Sequence, residues 1–179
     1  LFVDNIKHQS SQGSGTITIG ASGEKVDLGA TAGGTLTARP AFLAEFANST
    51  EQAISANTLT KVQYTEEVFD TDSKYDNSTN YRFTPGVAGK YFMFASIATT
   101  TSTDLDKLRI TIRKNGTEIR SFNNSNVNKQ SSSISAIVES NTTDYFEIFC
   151  EVNIAKNLGN SFGNNGDANY FGAYKLIGV

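Results

Sequence analysis

Tyr91-Phe92-Met93-Phe94-Ala95-Ser96-Ile97, entered through Phe83-Thr84-Pro85-Gly86-Val87-Ala88-Gly89-Lys90, is the stretch on which the fold turns. Tyr91, Met93, Ala95 and Ile97 form one alternating set, and Phe92 and Phe94 belong to the other. Both sets are apolar, the mark of a strand covered on both sides. Downstream, Leu108, Ile110 and Ile112 alternate with Arg109, Thr111 and Arg113, so that strand has one wet face. It runs into Lys114-Asn115-Gly116-Thr117, and Asn-Gly between strand-like flanks is a strong hairpin signal. Ile134, Ala136 and Val138 alternate against Ser133, Ser135 and Ile137. From Asp144 to Asn153, Phe146, Ile148, Cys150 and Val152 make one apolar face. The other face, Tyr145, Glu147, Phe149 and Glu151, mixes rings with carboxylates, as a partly covered surface does. Tyr170 to Val179 reads as a closing strand. Helical spacing surfaces only briefly, near Phe42–Phe46. Many short strands with regular turns predict an all-β antiparallel sandwich or barrel.

The composition agrees. Asn, Thr and Ser together supply 55 of 179 residues, and 19 Phe and Tyr accompany 15 Gly, a mixture that favours strands and turns. The 11% aromatic content gives the chain enough to bury, so disorder throughout is excluded. A net charge of −3 argues against binding a phosphate backbone, so no nucleic-acid partner is expected. No window approaches the ~18 apolar residues of a membrane span, so no membrane insertion is expected. The N-terminal residues lack the pattern of a signal peptide. One cysteine, Cys150, allows neither an internal disulfide nor a cysteine zinc cluster; on the apolar face of its strand it reads as a small buried hydrophobe.

Residues 1–38 read separately from 39–179. Short alternations such as Thr16-Ile17-Thr18-Ile19 and Lys25-Val26-Asp27-Leu28 lie between seven glycines, and Phe2 is the one aromatic. Such pieces bury too little to offset chain entropy alone. The segment is either a flexible linker or an arm that orders against copies of itself or a partner. Leu1, Phe2, Val3, Ile6, Ile17 and Ile19 would waste apolar surface in a free linker, which favours the arm.

From Arg39 to Val179 the chain resembles the trimeric jelly-roll head of the complement C1q and tumour-necrosis-factor superfamily. Arg39-Pro40-Ala41-Phe42 looks like the first strand of that family. The run Phe83 to Phe94 is similar to its aromatic, then Pro-x-x-x-Gly-x-Tyr, then aromatic strand. Tyr64, Asp70 and Tyr75 fall near an aromatic, an Asn or Asp and a second aromatic of the family. Arg113-Lys114-Asn115-Gly116 looks like its central hairpin, and Tyr170-Phe171-Gly172-Ala173-Tyr174 resembles its closing strand. Three departures accompany this: one residue inserted between Tyr75 and Phe83, Met93 in place of Phe, and no Gly-X-Y stalk. The resemblance implies a homotrimer and does not imply an immune role. Asp4-Asn5-Ile6-Lys7-His8-Gln9-Ser10 followed by Gly15-Thr16-Ile17-Thr18-Ile19-Gly20 looks like the N-terminal segments of tailed-phage virion proteins. That likeness implies assembly in a reducing host cytoplasm, where no disulfide is needed.

Candidate chemistry is sparse. His8 is the one histidine and has no clustered Ser or Asp, so no catalytic triad is expected. Asp70-Thr71-Asp72-Ser73-Lys74-Tyr75-Asp76-Asn77 offers Asp70, Asp72 and Asp76 as metal-ligand candidates, with calcium the cofactor they suggest. An EF-hand loop needs Gly where Tyr75 stands, and Lys74 brings a positive charge where a ligand belongs, so the favoured reading is a polar inter-strand loop. Five Asn-x-Ser/Thr sequons among 17 Asn are near chance. Two polar stretches suit the reading of sugar hydroxyls by amides and rings. Their candidates are Phe122, Asn123, Asn124 and Asn126 in the first, and Asn160, Phe162, Asn164 and Asn165 in the second. Phe92, Phe94, Tyr145 and Phe149 lie opposite the inward faces and form the expected trimer interface.

The expectation is a non-enzymatic virion-surface protein. A trimeric head is displayed as capsid decoration or tail fibre and touches host-surface glycan or protein, with residues 1–38 joining other virion proteins. A secreted cytokine- or complement-like ligand for a protein receptor is the alternative.

Overall fold

A computed structural model describes residues 40–48, 50–100, 105–125, 131–159 and 168–176. Among these residues no segment is helical; there are thirteen strands. They are β1 (Ala41–Glu45), β2 (Glu51–Ile54), β3 (Thr60–Lys61), β4 (Glu66–Asp70), β5 (Tyr75–Asp76), β6 (Arg82–Phe83) and β7 (Gly89–Ala98). There follow β8 (Lys107–Lys114), β9 (Thr117–Ser125), β10 (Ser131–Ser140), β11 (Phe146–Val152), β12 (Lys156–Gly159) and β13 (Tyr170–Lys175). The first sheet has the order β10-β7-β13-β1-β4. The second runs β5-β6-β11-β8-β9, with β3 also on β11. β12 and β2 form a separate ribbon. Every pairing between these strands is antiparallel.

Strand β7 sits between β10 and β13 with Tyr91, Met93, Ala95 and Ile97 turned into the core. Facing them, β8 contributes Leu108, Ile110 and Ile112, and β11 contributes Phe146, Ile148, Cys150 and Val152, all buried. The alternations in these three strands are therefore the two walls of one core. The stretch around Phe42–Phe46 is a strand at its start: Phe42 and Ala44 are buried while Ala41, Leu43 and Glu45 are half-buried, a period of two. Pairing with β13 and β4 on either side overrides the short helical spacing.

Aromatic rings close the core at Phe42. Its ring stacks on Phe83 at 4.5 Å and on Tyr75 at 4.8 Å, and meets the edge of Phe171 at 4.9 Å. The buried tyrosines bring hydroxyls that must be satisfied. Tyr64 donates to the Ser96 carbonyl at 3.0 Å, Tyr75 to that of Tyr64 at 3.1 Å and Tyr91 to that of Val87 at 2.7 Å. The first two of these bonds tie neighbouring segments together across the aromatic cluster.

The Asn115-Gly116 turn joins β8 to β9 with Lys114 opposite Thr117. Both turn residues have positive φ, 51° and 77°, the two-residue turn whose twist matches the strands it joins. Phe42→Ala removes the ring on which three others lean. It should cost about 3–5 kcal/mol in urea unfolding, and a loss under ~1 kcal/mol would contradict the central place given to Phe42.

Candidate functional site

The outer faces of the two sheets differ in chemistry. On the first sheet the cross-strand register sets Ile137, Phe92, Tyr174 and Ala41 in one row. The next row holds Ser135, Phe94, Gly172, Leu43 and Phe69. The rings touch one another: Phe92 lies 5.5 Å from Tyr174 and 6.0 Å from Phe94, and Phe94 lies 6.1 Å from Tyr170. Gly172 makes this possible, because a Cβ there would run into the Phe94 ring and sit 3.0 Å from the Phe42 carbonyl. Phe94 thus rests against glycine backbone. On the single chain Ile137 is 57% exposed, Phe69 47% and Tyr174 46%. This is a continuous apolar face open on a single chain, of the kind that marks an interaction surface.

The expected interface quartet divides. Phe92 and Phe94 are on this face, whereas Tyr145 and Phe149 are on the outer side of the second sheet, opposite to it. There the rings lie under cations: the Arg82 guanidinium is 4.5 Å from the Tyr145 centroid, and Arg113 is 5.0 Å from that of Phe149. Lys61 reaches Glu147 at 2.5 Å, Lys107 reaches Glu151 at 2.5 Å, and Arg109 grips Glu118. Alternation along one strand reports a face but not which sheet the face belongs to. Ile137 and Tyr174 escape the sequence reading, although Ile137 is the one apolar member of the polar set Ser133, Ser135, Ile137. The shared alternation of Tyr170 and Tyr174 is a second signal of the same face.

Of the expected glycan-reading residues, Phe122, Asn123 and Asn124 belong to strand β9 rather than to a loop, paired with Ile110, Arg109 and Leu108. The low strand propensity of asparagine is overridden by that pairing. Phe122 is half exposed at the sheet edge. Asn126, Asn160, Phe162, Asn164 and Asn165 lie outside the described residues, as do Leu1, Phe2, Val3, Ile6, Ile17, Ile19 and His8. The base of the second polar stretch is described. Buried Asn169 accepts from the Ala98 N–H at 2.7 Å and donates to the Gly159 carbonyl at 3.0 Å, tying the end of β12 to the end of β7.

The three candidate metal ligands are used otherwise. Asp70 accepts from the N–H groups of Lys74 at 2.6 Å and Tyr75 at 2.7 Å. Asp76 accepts from the N–H groups of Ser78, Thr79 and Asn80 and from the Asn80 amide, and these donors hold its carboxyl well below the usual range. Asp72 makes a long contact with the Thr71 hydroxyl. The carboxylates close turns, and among the described residues no three acidic, His or Cys side chains converge as a metal site would need. Burial pushes the Cys150 thiol up to about 12, so it stays protonated and unreactive.

One carboxylate carries a pH dependence. Burial alone would raise Asp144, but the Asn141 N–H, the Lys114 ammonium and the Asn115 amide, each at 2.7 Å, outweigh it and hold the group at about 2. A folded value below the unfolded one of about 3.9 contributes stability above about pH 4, lost as pH falls toward about 2. Asp144→Asn should be less stable than the native chain near neutrality, with the gap closing through that window in denaturant titrations. A gap constant with pH would contradict the assignment.

No family model and no curated protein matches the sequence. Solved structures match in fold. Eiger TNF from S. frugiperda superposes with a TM-score of 0.59 at 10% identity, covering 79% of this chain and 94% of that one. PRD1 vertex protein P5 gives 0.55 at 12%, covering 77% and 96%. The globular domain of zebrafish complement 1qA gives 0.52 at 16%, covering 77% and 97%. The described sandwich is a jelly roll of the TNF and C1q type, as the sequence resemblance implied.

Proposed function

We propose that this chain is a non-enzymatic structural protein of a bacteriophage particle. It forms a homotrimeric head displayed on the virion surface, joined to other virion proteins through residues 1–38 and contacting the host cell surface. The observation that carries the proposal is the aromatic face of the first sheet. Phe92, Phe94, Tyr170 and Tyr174 are preorganised on β7 and β13, and two further copies of the chain are the occupants that cover them. A closed three-fold arrangement gives each copy the same cover and leaves no open, filament-forming contact. Likeness to PRD1 vertex protein P5 supports a particle role for a head of this fold. The outer polar surfaces then face away from the particle, and three copies of any weak site act with avidity.

A second reading, a cytokine- or complement-like ligand for a protein receptor, is favoured by the likeness to Eiger TNF and complement 1qA. It requires the same trimer, and differs in having no particle to join.

Light scattering on the purified protein should give about three times 19.3 kDa. Phe92→Asp combined with Tyr174→Asp should give the single-chain mass with the β-sheet spectrum retained. A native chain that is monomeric at micromolar concentration contradicts the trimer. Deleting residues 1–38 should leave a trimeric head that no longer sediments with particles. Continued incorporation would show that the attachment lies elsewhere.

A further inference from the structure

The outer face of the second sheet carries unbalanced charge at one place. Glu147 is the carboxylate at the centre of the cluster, and its oxygen lies 2.5 Å from Lys61 Nζ. Around it stand Arg82 on the Tyr145 ring and Arg113 on the Phe149 ring. Among the described residues neither guanidinium has a carboxylate within ion-pair distance. Asp76, opposite Arg82 in the β5–β6 pair, spends its oxygens on Ser78, Thr79 and Asn80. The rest of the face is neutral, with Lys107 and Arg109 against Glu118 and Glu151. Three cations around Glu147 and Asp76 therefore leave one positive charge on a chain whose net charge is −3.

Both guanidiniums lie on aromatic rings. Stacking restrains the side chain before any ligand arrives, so less freedom is lost when one binds. Arg113 turns its Nε and Nη2 to the Gly116 carbonyl, which fixes the orientation of the remaining Nη1 edge. Arg82 donates to no protein acceptor among the described residues, and its planar fork matches a carboxylate in two parallel hydrogen bonds. The two arginines flank β11 on β6 and β8 with their backbones about 10 Å apart, two strand spacings, and their heads lie over rings four residues apart along the chain. That spacing suits a ligand with separate anionic groups.

We propose that this cluster of Lys61, Arg82, Arg113, Tyr145, Glu147 and Phe149 is a binding site for acidic oligosaccharides, read through carboxylates on their sugars. Charge complementarity selects the acid. β11 is paired on both sides here, with β8 on one and β3 and β6 on the other, which leaves a peptide no open edge and favours a glycan. Sugar hydroxyls find the Tyr145 hydroxyl. The site lies wholly within one chain and goes beyond the trimer reading, which it neither requires nor supports.

The test is calorimetric titration of the full-length protein with oligogalacturonate, with a neutral maltooligosaccharide of equal length and with a polyglutamate peptide. The native protein should bind oligogalacturonate, more weakly as salt rises, and bind the other two at least about tenfold less. Arg82→Gln and Arg113→Gln should each weaken binding about tenfold, as loss of a charged hydrogen bond does. Arg82→Lys, which keeps charge and loses the fork, should also weaken it, so the result survives if a glutamine variant folds poorly. Equal binding of the neutral sugar, equal or tighter binding of the peptide, or unchanged affinity in the arginine variants overturns the proposal. A monomer that binds oligogalacturonate removes the trimer and leaves this site standing; a trimer that does not bind removes the site alone.

Discussion

Strand β7 has apolar side chains on both faces, and the rest of the molecule is arranged around covering them. Tyr91, Met93, Ala95 and Ile97 are covered by the second sheet through the buried faces of β8 and β11. Phe92 and Phe94 face outward, where no strand among the described residues of the same chain packs over them. Burying a large apolar side chain is worth about 1.5–3 kcal/mol. An outward face with several such side chains therefore forgoes free energy comparable to a large part of a typical domain's net stability. Gly172 sharpens the point, since its missing Cβ is what lets Phe94 settle on the sheet, and the settled ring offers a partner a smooth surface.

The second sheet solves its outer face within one chain. Lys61, Lys107, Arg109 and their glutamates lie as a cross-strand carpet over β8 and β11, with Thr111 fully buried among them. Ion pairs this close to water are worth at most about 1 kcal/mol each, so the carpet does little for stability. The two outer faces therefore differ in kind: that of the first sheet is apolar, and that of the second is charged and wet. Arg82 and Arg113 are the exceptions within that carpet, since rings rather than carboxylates hold them.

Signals in the sequence are legible where the chemistry is local. Asn115-Gly116 marks a hairpin because two consecutive residues must take positive φ, and they do. The buried face Phe146, Ile148, Cys150, Val152 is readable because its alternation is unbroken. Signals that depend on distant pairing are not. Phe122, Asn123 and Asn124 have the composition of a loop, since asparagine is a poor strand former, yet β8 supplies their pairing partners from across the hairpin. Phe92 and Phe94 on β7 share an outward alternation with Tyr145 and Phe149 beside and on β11, and only the sheet order separates the two faces. Asp70 and Asp76 have the look of ligands because carboxylates that close turns and carboxylates that hold calcium share the same spacing.

The proposed trimer depends on copies of the chain covering the outer face of the first sheet. Hydroxyl-radical footprinting read by mass spectrometry tests this at single residues, with half-exposed Phe122 on the edge of the other sheet as an internal reference. Tyr174, which is 46% exposed on the isolated chain, should be strongly protected in the native protein and labelled freely when dilution or substitution separates the copies. Labelling of Tyr174 in the native protein at the rate its single-chain exposure dictates, unchanged on dilution, would contradict the account.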